Sequence, residues 1–161
     1  MDKLLNLLSE NARLSTAQLA VMLDRTEGQV QDQIADYEKR GVIRGYRTLS
    51  DWEKVDENKA TALIELKVNP KPDTGFDDIA HRVMKFDEVE SVYLMSGGYD
   101  LSVVVHGQSM QQIANFVMRR LATLDSVVST ATHFILTRFK DGGVTLGSGE
   151  ESDERRSVFR D

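Results

Sequence analysis

The segment over residues 14–47, LSTAQLAVMLDRTEGQVQDQIADYEKRGVIRGYR, has two short helical patterns with a break of only two residues between them. Ser15 can cap the first helix, because its side-chain oxygen can accept a hydrogen bond from the free N–H groups of the first turn. The apolar stripe of this helix consists of Leu19, Ala20 and Leu23. The break falls at Asp24-Arg25, so we expect the second helix to pack close to the first.

The second helical pattern begins at Thr26, which together with Gln29 has the spacing of a capping box. Its buried face consists of Val30, Ile34 and Tyr37. Gly41 is expected to end it. Two short helices joined by a tight turn are the layout of a helix-turn-helix DNA reader. The major groove admits one helix, and a second helix packed across it fixes the depth of entry.

The residues around this pair complete an N-terminal domain over residues 1–49. Four leucines within residues 2–11 predict a further helix ahead of the pair. Residues 42–49 predict a strand or wing behind it. The acidic run over residues 50–58, SDWEKVDEN, predicts a linker in which Trp52 is the one bulky side chain.

From residue 59 the sequence changes to alternating strand and helix patterns. A first strand is predicted over residues 60–68, where apolar residues recur at period 2. The helix, strand, strand, helix and strand that follow are predicted at residues 75–85, 89–95, 101–106, 110–121 and 126–139. This β-α-β-β-α-β order predicts a ferredoxin-like domain over residues 59–140, with helices on one face of the sheet. The fold class is therefore α+β, a winged helix-turn-helix plus a ferredoxin-like sheet domain. The second sheet face needs a cover, and a partner subunit is the simplest one, so we expect at least a dimer.

Residues 141–161, DGGVTLGSGEESDERRSVFRD, are rich in Gly, Ser and charged side chains. This composition predicts a flexible polar tail. The alternative is a segment that binds a partner or regulates the protein.

The formal net charge of −6 is unfavourable for binding nucleic acid, because the overall field repels phosphate. The charge is not evenly distributed, however. The first 50 residues carry seven basic and seven acidic side chains, so this part of the chain is neutral. A DNA complex would need basic side chains gathered on the docking face.

Composition also excludes several classes of site. Without cysteine, the chain has no disulfide, no thiolate metal site and no cysteine nucleophile. No stretch approaches the roughly 18 apolar residues of a membrane span, and the N-terminus is too short and acidic for a secretory signal, so we expect a cytoplasmic protein. His81, His106 and His133 have no companion at a metal-binding spacing, and no serine lies in a nucleophile elbow. We therefore predict no metal, no cofactor and no catalytic residue.

The chain over roughly residues 3–140 resembles the Lrp/AsnC family of feast/famine transcription regulators. The resemblance rests on four segments in this order along the chain: LSTAQLA, YEKRGVIRGYR, SGGYD and STATHFILTRFK. It implies that the C-terminal domain forms dimers that assemble to larger even-numbered oligomers such as octamers. It also implies that a small effector, such as an amino acid, binds at subunit contacts.

The start of the second helix is the expected DNA contact, because its free N–H groups and helix dipole favour phosphate. The candidate residues are Arg25, Thr26, Gly28, Gln29, Asp32, Gln33, Arg44 and Arg47, the arginines for backbone phosphates. Relatives commonly have a basic residue in place of Gln33 and a hydrophobic one in place of Arg25. Asp32 would repel phosphate and could only accept from a base such as cytosine. The alternative is an ordinary helix start, with arginines that only solvate a loop.

The SGGYD turn is the expected effector contact. Two glycines between strands first indicate a tight turn that needs positive φ. The resemblance implies a second role, in which their N–H groups receive the carboxylate of an amino acid and Asp100 receives its ammonium. A threonine pair in the last strand matches the pair near the family's effector pocket, although alternating threonines also suit a strand. The candidate residues are Gly97, Gly98, Tyr99, Asp100, Thr130 and Thr132.

The sequence thus predicts a DNA-binding transcription regulator whose C-terminal domain oligomerises and senses an amino acid or related metabolite. One alternative is a sensing or interaction module with a degenerate, non-DNA-binding head, which the neutral head and Asp32 favour. Another alternative is an enzyme with the same fold, but its only support is analogy with other proteins of that fold.

Overall fold

The computed structural model describes residues 2–56, 58–71 and 75–146. Its contacts divide the chain into two compact units, with the boundary between Leu49 and Ser50. We refer to them as the N-terminal unit and the C-terminal unit.

The N-terminal unit consists of three helices, α1 (Lys3–Glu10), α2 (Thr16–Leu23) and α3 (Glu27–Lys39). Each begins at a side-chain cap, because the first N–H groups of a helix have no partner within it. The caps are Asp2, Ser15 and Thr26, and the last two each form a capping box. The predicted helix-turn-helix pair is confirmed.

The core of this unit takes one fully buried side chain from each of the three helices, namely Leu4, Leu19 and Val30. The turn between α2 and α3 is closed by Asp24, which has a left-handed φ of 53°. The Arg25 N–H donates a bond of 3.0 Å to the Ala20 carbonyl. Aspartate tolerates this backbone region better than most residues, so the chain reverses within two residues.

Behind α3, Gly41 adopts a left-handed φ of 67° and the chain leaves the helix. The N–H groups of Val42 and Ile43 both donate to the Tyr37 carbonyl, at 2.8 and 3.1 Å. Within the described residues, the segment 42–49 forms no strand, which corrects the sequence prediction there. An extended segment becomes a strand only where another extended segment lies beside it to exchange hydrogen bonds, and a three-helix unit offers none.

The C-terminal unit starts with a 3-10 turn over Trp52–Lys54 and then has the predicted element order. The elements are β1 (Ala60–Val68), α4 (Asp77–Val83), β2 (Val89–Leu94), β3 (Leu101–Gly107), α5 (Met110–Phe116), which continues as a π turn (Val117–Leu121), and β4 (Val127–Phe134). The strands form one antiparallel sheet in the order β2-β3-β1-β4. The predicted α+β fold is confirmed.

The core of this unit lies on one face of the sheet, against α4 and α5. Ile64 and Leu66 of β1 are fully buried there, next to Leu101 and Val103 of β3. The helices contribute Ile79, Val83, Ile113 and Phe116. The opposite face, which we call the open face, has no helix against it among the described residues of this unit, and Leu63 and Val104 are half-buried neighbours on it.

The last strand is shorter than predicted, since β4 ends at Phe134 rather than at residue 139. Its neighbour β1 begins at Ala60, so the chain beyond Phe134 soon has no strand to pair with. The Ile135 N–H still donates to the Thr61 carbonyl at 2.9 Å.

The segment predicted as a flexible tail over residues 141–161 begins with ordered structure. Lys140–Asp141 and Val144–Thr145 form a small antiparallel hairpin, β5 and β6. Its turn uses Gly142 and Gly143 at φ values of 51° and 88°, which glycine adopts without strain. This corrects the predicted start of the tail, and residues 147–161 lie outside the described residues.

Candidate DNA interface and effector site

The first turn of α3 is exposed to solvent and also carries one acidic side chain, Glu27. Thr26 Oγ1 accepts a bond of 3.3 Å from the Gln29 N–H, and Gln29 Oε1 accepts one of 3.0 Å from the Thr26 N–H. The N–H groups of Glu27 and Gly28 have no partner within the helix. No atom lies within 4 Å of the position that a Cβ on Gly28 would occupy. A phosphate oxygen can therefore approach this backbone closely.

The polar side of α3 is uncovered along its length. Gly28, Gln29, Asp32 and Lys39 are all exposed, while Val30 on the other side is fully buried. The helix can thus present this side to a groove, with two acids, Asp32 and Asp36, near the middle and one lysine near the end.

Two of the predicted DNA-binding residues, Arg25 and Gln33, are bonded to each other. The Arg25 guanidinium donates to Gln33 Oε1. The Gln33 amide donates to the Tyr37 hydroxyl at 2.8 Å and to Asp2 Oδ2 at 3.3 Å. Gln33 is half-buried and has its amide engaged within the unit, so it faces any partner less directly than Gly28 or Asp32.

The acid at the end of this network is held ionised. Tyr37 donates a bond of 2.7 Å to Asp2 Oδ2, and the Leu5 N–H donates one of 3.0 Å to Oδ1. These hydrogen bonds, first from Tyr37 and then from Leu5, hold the pKa of Asp2 below its usual value of 3.8. Asp2 therefore both caps α1 and fixes α3 beside it.

The two remaining arginine candidates lie on the arm behind α3, and both are exposed. The guanidinium of Arg44 folds back over Gly41, where it would stand 3.1 Å from an added Cβ. Arg47 lies further along the arm. Arg44, Arg47 and Arg25 are the basic residues of the predicted interface that lie outside α3.

The SGGYD turn joins β2 to β3 and is exposed at both glycines. Gly97 has a φ of 155°, whereas Gly98 has no positive φ. The Met95 N–H donates to the Asp100 carbonyl at 2.8 Å, which closes the turn. As predicted, one glycine meets a backbone requirement, and the space around both is open.

Asp100 is bonded to β1 through both carboxylate oxygens. Oδ2 accepts a bond of 2.9 Å from the Val68 N–H, and Oδ1 lies 3.3 Å from Lys67 Nζ. The Asp100 N–H also donates to the Leu66 carbonyl at 3.0 Å. The bond from Val68, followed by the contact with Lys67, holds the pKa of Asp100 below 3.8. Asp100 thus anchors the turn to the end of β1.

The threonine candidates lie on the edge strand of the sheet. Thr130 pairs with Leu66 and Thr132 with Ile64, so both point to the face that carries the core, and both are half-buried. Leu66 is also the residue whose carbonyl accepts from Asp100. Thr130 and the SGGYD turn therefore flank the same end of β1, while Thr132 lies two residues further along the strand.

Sequence reasoning missed Lys67, Asp2 and Tyr37 as parts of these sites. Asp2 had a local signal, because it stands ahead of a leucine-rich helix where a cap is needed. Lys67 had none, since only the pairing of β1 with β3 brings it to Asp100.

Within the described ranges, no three His or acidic side chains stand together as a metal site. Two histidines instead lie next to single acids, His133 at 3.6 Å from Glu65 and His106 at 3.9 Å from Glu90. None of the helices in those ranges is long and apolar enough to span a membrane.

Comparison with known families gives two matches. Residues 61–145 match the model of the Lrp/AsnC ligand binding domain. Residues 3–44 match a model described as winged helix-turn-helix DNA-binding. Together the two models cover most of both units.

Individual relatives agree with these matches. The uncharacterized HTH-type transcriptional regulator YugG of Bacillus subtilis is 47% identical over 157 residues, which are 97% of this chain and 93% of the relative. The leucine response regulatory protein of Mycobacterium tuberculosis is 25% identical, with a TM-score of 0.74 over 88% of this chain and 97% of that one. A transcriptional regulator of Neisseria meningitidis, solved as a complex with L-Met, is 24% identical, with a TM-score of 0.73 over 91% and 96% of the two chains.

Proposed function

Since the chain belongs to the Lrp/AsnC family of transcription regulators, we propose that α3 enters the major groove of a DNA duplex and that the C-terminal unit binds an amino acid. The chain is a helix-turn-helix regulator and not an enzyme.

The uncovered first turn and polar side of α3 carry the DNA proposal. The free N–H groups of Glu27 and Gly28, which lie between the capping pair Thr26 and Gln29, bind a backbone phosphate. This contact fixes the register of the helix. Asp32 faces the bases, where its carboxylate can accept from the amino group of cytosine.

Three arginines outside α3 add further contacts to the DNA backbone. Arg44 and Arg47 bind phosphates beside α3. Arg25 can exchange its bond to Gln33 for a phosphate, and Gln33 then has an acceptor free for the groove. The acidic charge elsewhere in the chain makes these local cations necessary.

Duplex binding at two salt concentrations tests the DNA proposal. We expect binding at about 50 mM salt that weakens steeply toward about 200 mM. Each phosphate contact adds nearly one unit to the slope with which the logarithm of the binding constant falls against the logarithm of the salt concentration. A Gly28→Glu variant should abolish binding without loss of stability, because the site has room for the side chain and an acid suits a helix start. Gln111→Glu, which adds the same charge to the first turn of α5, is the matched control. Binding by Gly28→Glu as tight as by the control would contradict the proposed contact.

The effector proposal rests on the turn between β2 and β3. Its open N–H groups at Gly97 and Gly98 suit a carboxylate, and Asp100 supplies the fixed negative charge that an ammonium needs. Tyr99, Thr130 and Thr132 complete the proposed site. The structural neighbour solved with L-Met supports an amino acid as the class of ligand.

Oligomerisation is part of the same proposal. The open face leaves half-buried apolar side chains such as Leu63 and Val104 uncovered, and a second copy can cover them. We propose a homodimer that assembles to larger even-numbered oligomers in the cytoplasm. In this arrangement residues 1–49 bind DNA, residues 50–58 act as the linker, and residues 59–140 bind effector and partner subunits.

A thermal-shift screen of the twenty amino acids tests the effector proposal. A ligand that binds only the folded state raises the free energy of unfolding by RT ln(1 + [L]/Kd). We expect one amino acid or a chemically related group to raise the melting temperature selectively. A melting temperature that no amino acid changes would contradict the sensing proposal and leave the DNA proposal standing.

A further inference from the structure

A hydrogen bond between side chains joins the starts of the two helices of the helix-turn-helix pair. Thr16 is the first residue of α2, and Glu27 is the first residue of α3. The Thr16 hydroxyl donates a bond of 2.8 Å to Glu27 Oε1. Thr16 is half-buried and Glu27 is exposed. The position of this acid is therefore set by the neighbouring helix.

The position of the Glu27 carboxylate affects what the first turn of α3 can bind. A helix N-terminus attracts a carboxylate as it attracts a phosphate, because its free N–H groups and its dipole favour any anion. Among the described residues, the Glu27 carboxylate accepts a bond from Thr16 and none from an N–H group of its own turn. The side chain is thus bonded toward α2, and the N–H groups of α3 stay open to another anion.

We propose that Thr16 is a positioning residue for the DNA contact of α3, an inference that rests on the proposed function. Its hydroxyl holds the Glu27 carboxylate against α2 and keeps it away from the N–H groups that bind a phosphate. Without this bond the carboxylate turns to its own helix N-terminus, where the dipole favours it, and competes with the phosphate. The bond thus lets the chain keep an acid at the start of α3 without losing the contact with the DNA backbone.

Duplex binding by variants at position 16 tests the role of the hydroxyl. Thr16→Val removes the hydroxyl and keeps the shape of the side chain. It should weaken binding by about two- to fivefold at about 50 mM salt, the effect of one exposed charge interaction. Thr16→Ser keeps the hydroxyl and should bind as tightly as the natural chain. A mixed-sequence duplex is the probe, because contacts with phosphate do not depend on sequence.

Thr123→Val is the matched control for this substitution. The Thr123 hydroxyl donates to the carbonyls of Arg119 and Arg120 in the C-terminal unit, so its removal should leave duplex binding unchanged. Circular dichroism at the assay temperature measures whether each variant is folded, which separates a loss of stability from a loss of affinity. Binding by Thr16→Val as tight as by Thr123→Val would overturn the proposal.

A double-mutant cycle with Glu27→Gln tests whether Thr16 acts through the acid. Glu27→Gln has no charge that competes with the phosphate, so it should bind the duplex at least as tightly as the natural chain. In this background Thr16→Val should cause no further loss of affinity.

Two outcomes of the cycle would contradict the role of Thr16 and leave the DNA proposal standing. An equal loss from Thr16→Val in both backgrounds would mean that Thr16 contacts the DNA itself. Weaker binding by Glu27→Gln alone would mean that the acid contributes to the contact. If neither the natural chain nor Glu27→Gln binds the duplex, the DNA proposal is wrong and this inference is wrong with it.

Discussion

The Tyr37 hydroxyl donates a hydrogen bond of 2.7 Å to the Asp2 carboxylate, across 35 residues of the chain. The same carboxylate caps α1, and Gln33 joins it from α3. One acid therefore ties the first helix to the helix that is proposed to enter the groove. The orientation of α3 depends on a contact outside the helix-turn-helix pair itself.

Tyr37→Phe should weaken the N-terminal unit by about 1–3 kcal/mol of unfolding free energy, since it removes the bond to the charged Asp2 carboxylate and the acceptor of the bond from Gln33. It should also raise the pKa of Asp2 toward its usual value, because the bond from Tyr37 is the largest cause of the lowering. Denaturant unfolding and a carboxyl NMR titration measure the two effects. Tyr46→Phe is the control, because within the described part of the chain its hydroxyl bonds the exposed Glu38, at 3.0 Å. An equal loss of unfolding free energy in the two variants would show that the bond to Asp2 stabilises the unit no more than the exposed bond to Glu38.

The pH dependence of stability follows from the same acid. The folded state lowers the pKa of Asp2, so the stability it contributes is complete above the usual value of 3.8 and is lost as pH falls through the lower folded value. Asp2→Asn keeps a side-chain cap but has no titrating group. We expect the stability advantage of the natural chain over this variant to be constant between about pH 7 and pH 5 and to shrink below about pH 4. An advantage that grows as pH falls would contradict this assignment.

The parts of the fold that local sequence determines could be predicted. The caps at Ser15 and Thr26, the reversal at Asp24 and the element order of the C-terminal unit all follow from periodicity and caps within a few residues. The hairpin turn at Gly142-Gly143 also had a local signal. The low-complexity composition of the segment concealed it.

The contacts between distant residues could not be predicted in the same way. Lys67 and Asp100 meet because β1 pairs with β3, and β4 ends where β1 begins. Gln33 looks like an ordinary polar residue of α3 in the sequence, but its bonds to Tyr37 and Asp2 turn it inward. Such outcomes depend on register and packing, which are properties of the assembled unit.

The two glycines of the SGGYD turn should respond differently to alanine. Gly97→Ala places a side chain at a φ of 155° and should cost about 1 kcal/mol or more of unfolding free energy. Gly98→Ala meets no such strain and no nearby atom, so its stability should change by less than about 0.5 kcal/mol.

The Gly98 variant also tests the effector site. A methyl group there should obstruct a carboxylate that approaches the turn, so the thermal shift with the responsive amino acid should fall while the melting temperature without ligand stays the same. An unchanged thermal shift would place the carboxylate elsewhere.

The pair of Lys67 and Asp100 gives the sharpest test of the effector chemistry. Lys67→Met should raise the pKa of Asp100 only part of the way to 3.8, because the bond from the Val68 N–H is the larger cause and remains. Lys140→Met, in the exposed hairpin, is the control and should leave that pKa unchanged. A carboxyl NMR titration of Asp100 in the two variants measures the difference.

The same variant decides which group of the effector Asp100 meets. If Asp100 receives the ammonium, Lys67 competes with the ligand for Oδ1, which lies 3.3 Å from Nζ. Removing Lys67 should then tighten binding of the responsive amino acid by about two- to fivefold, the effect of an exposed ion pair. If the lysine instead holds the effector carboxylate, the same substitution should weaken binding. Calorimetric titration of the Lys67→Met and Lys140→Met variants separates the two arrangements, and weaker binding in Lys67→Met would move the ammonium away from Asp100.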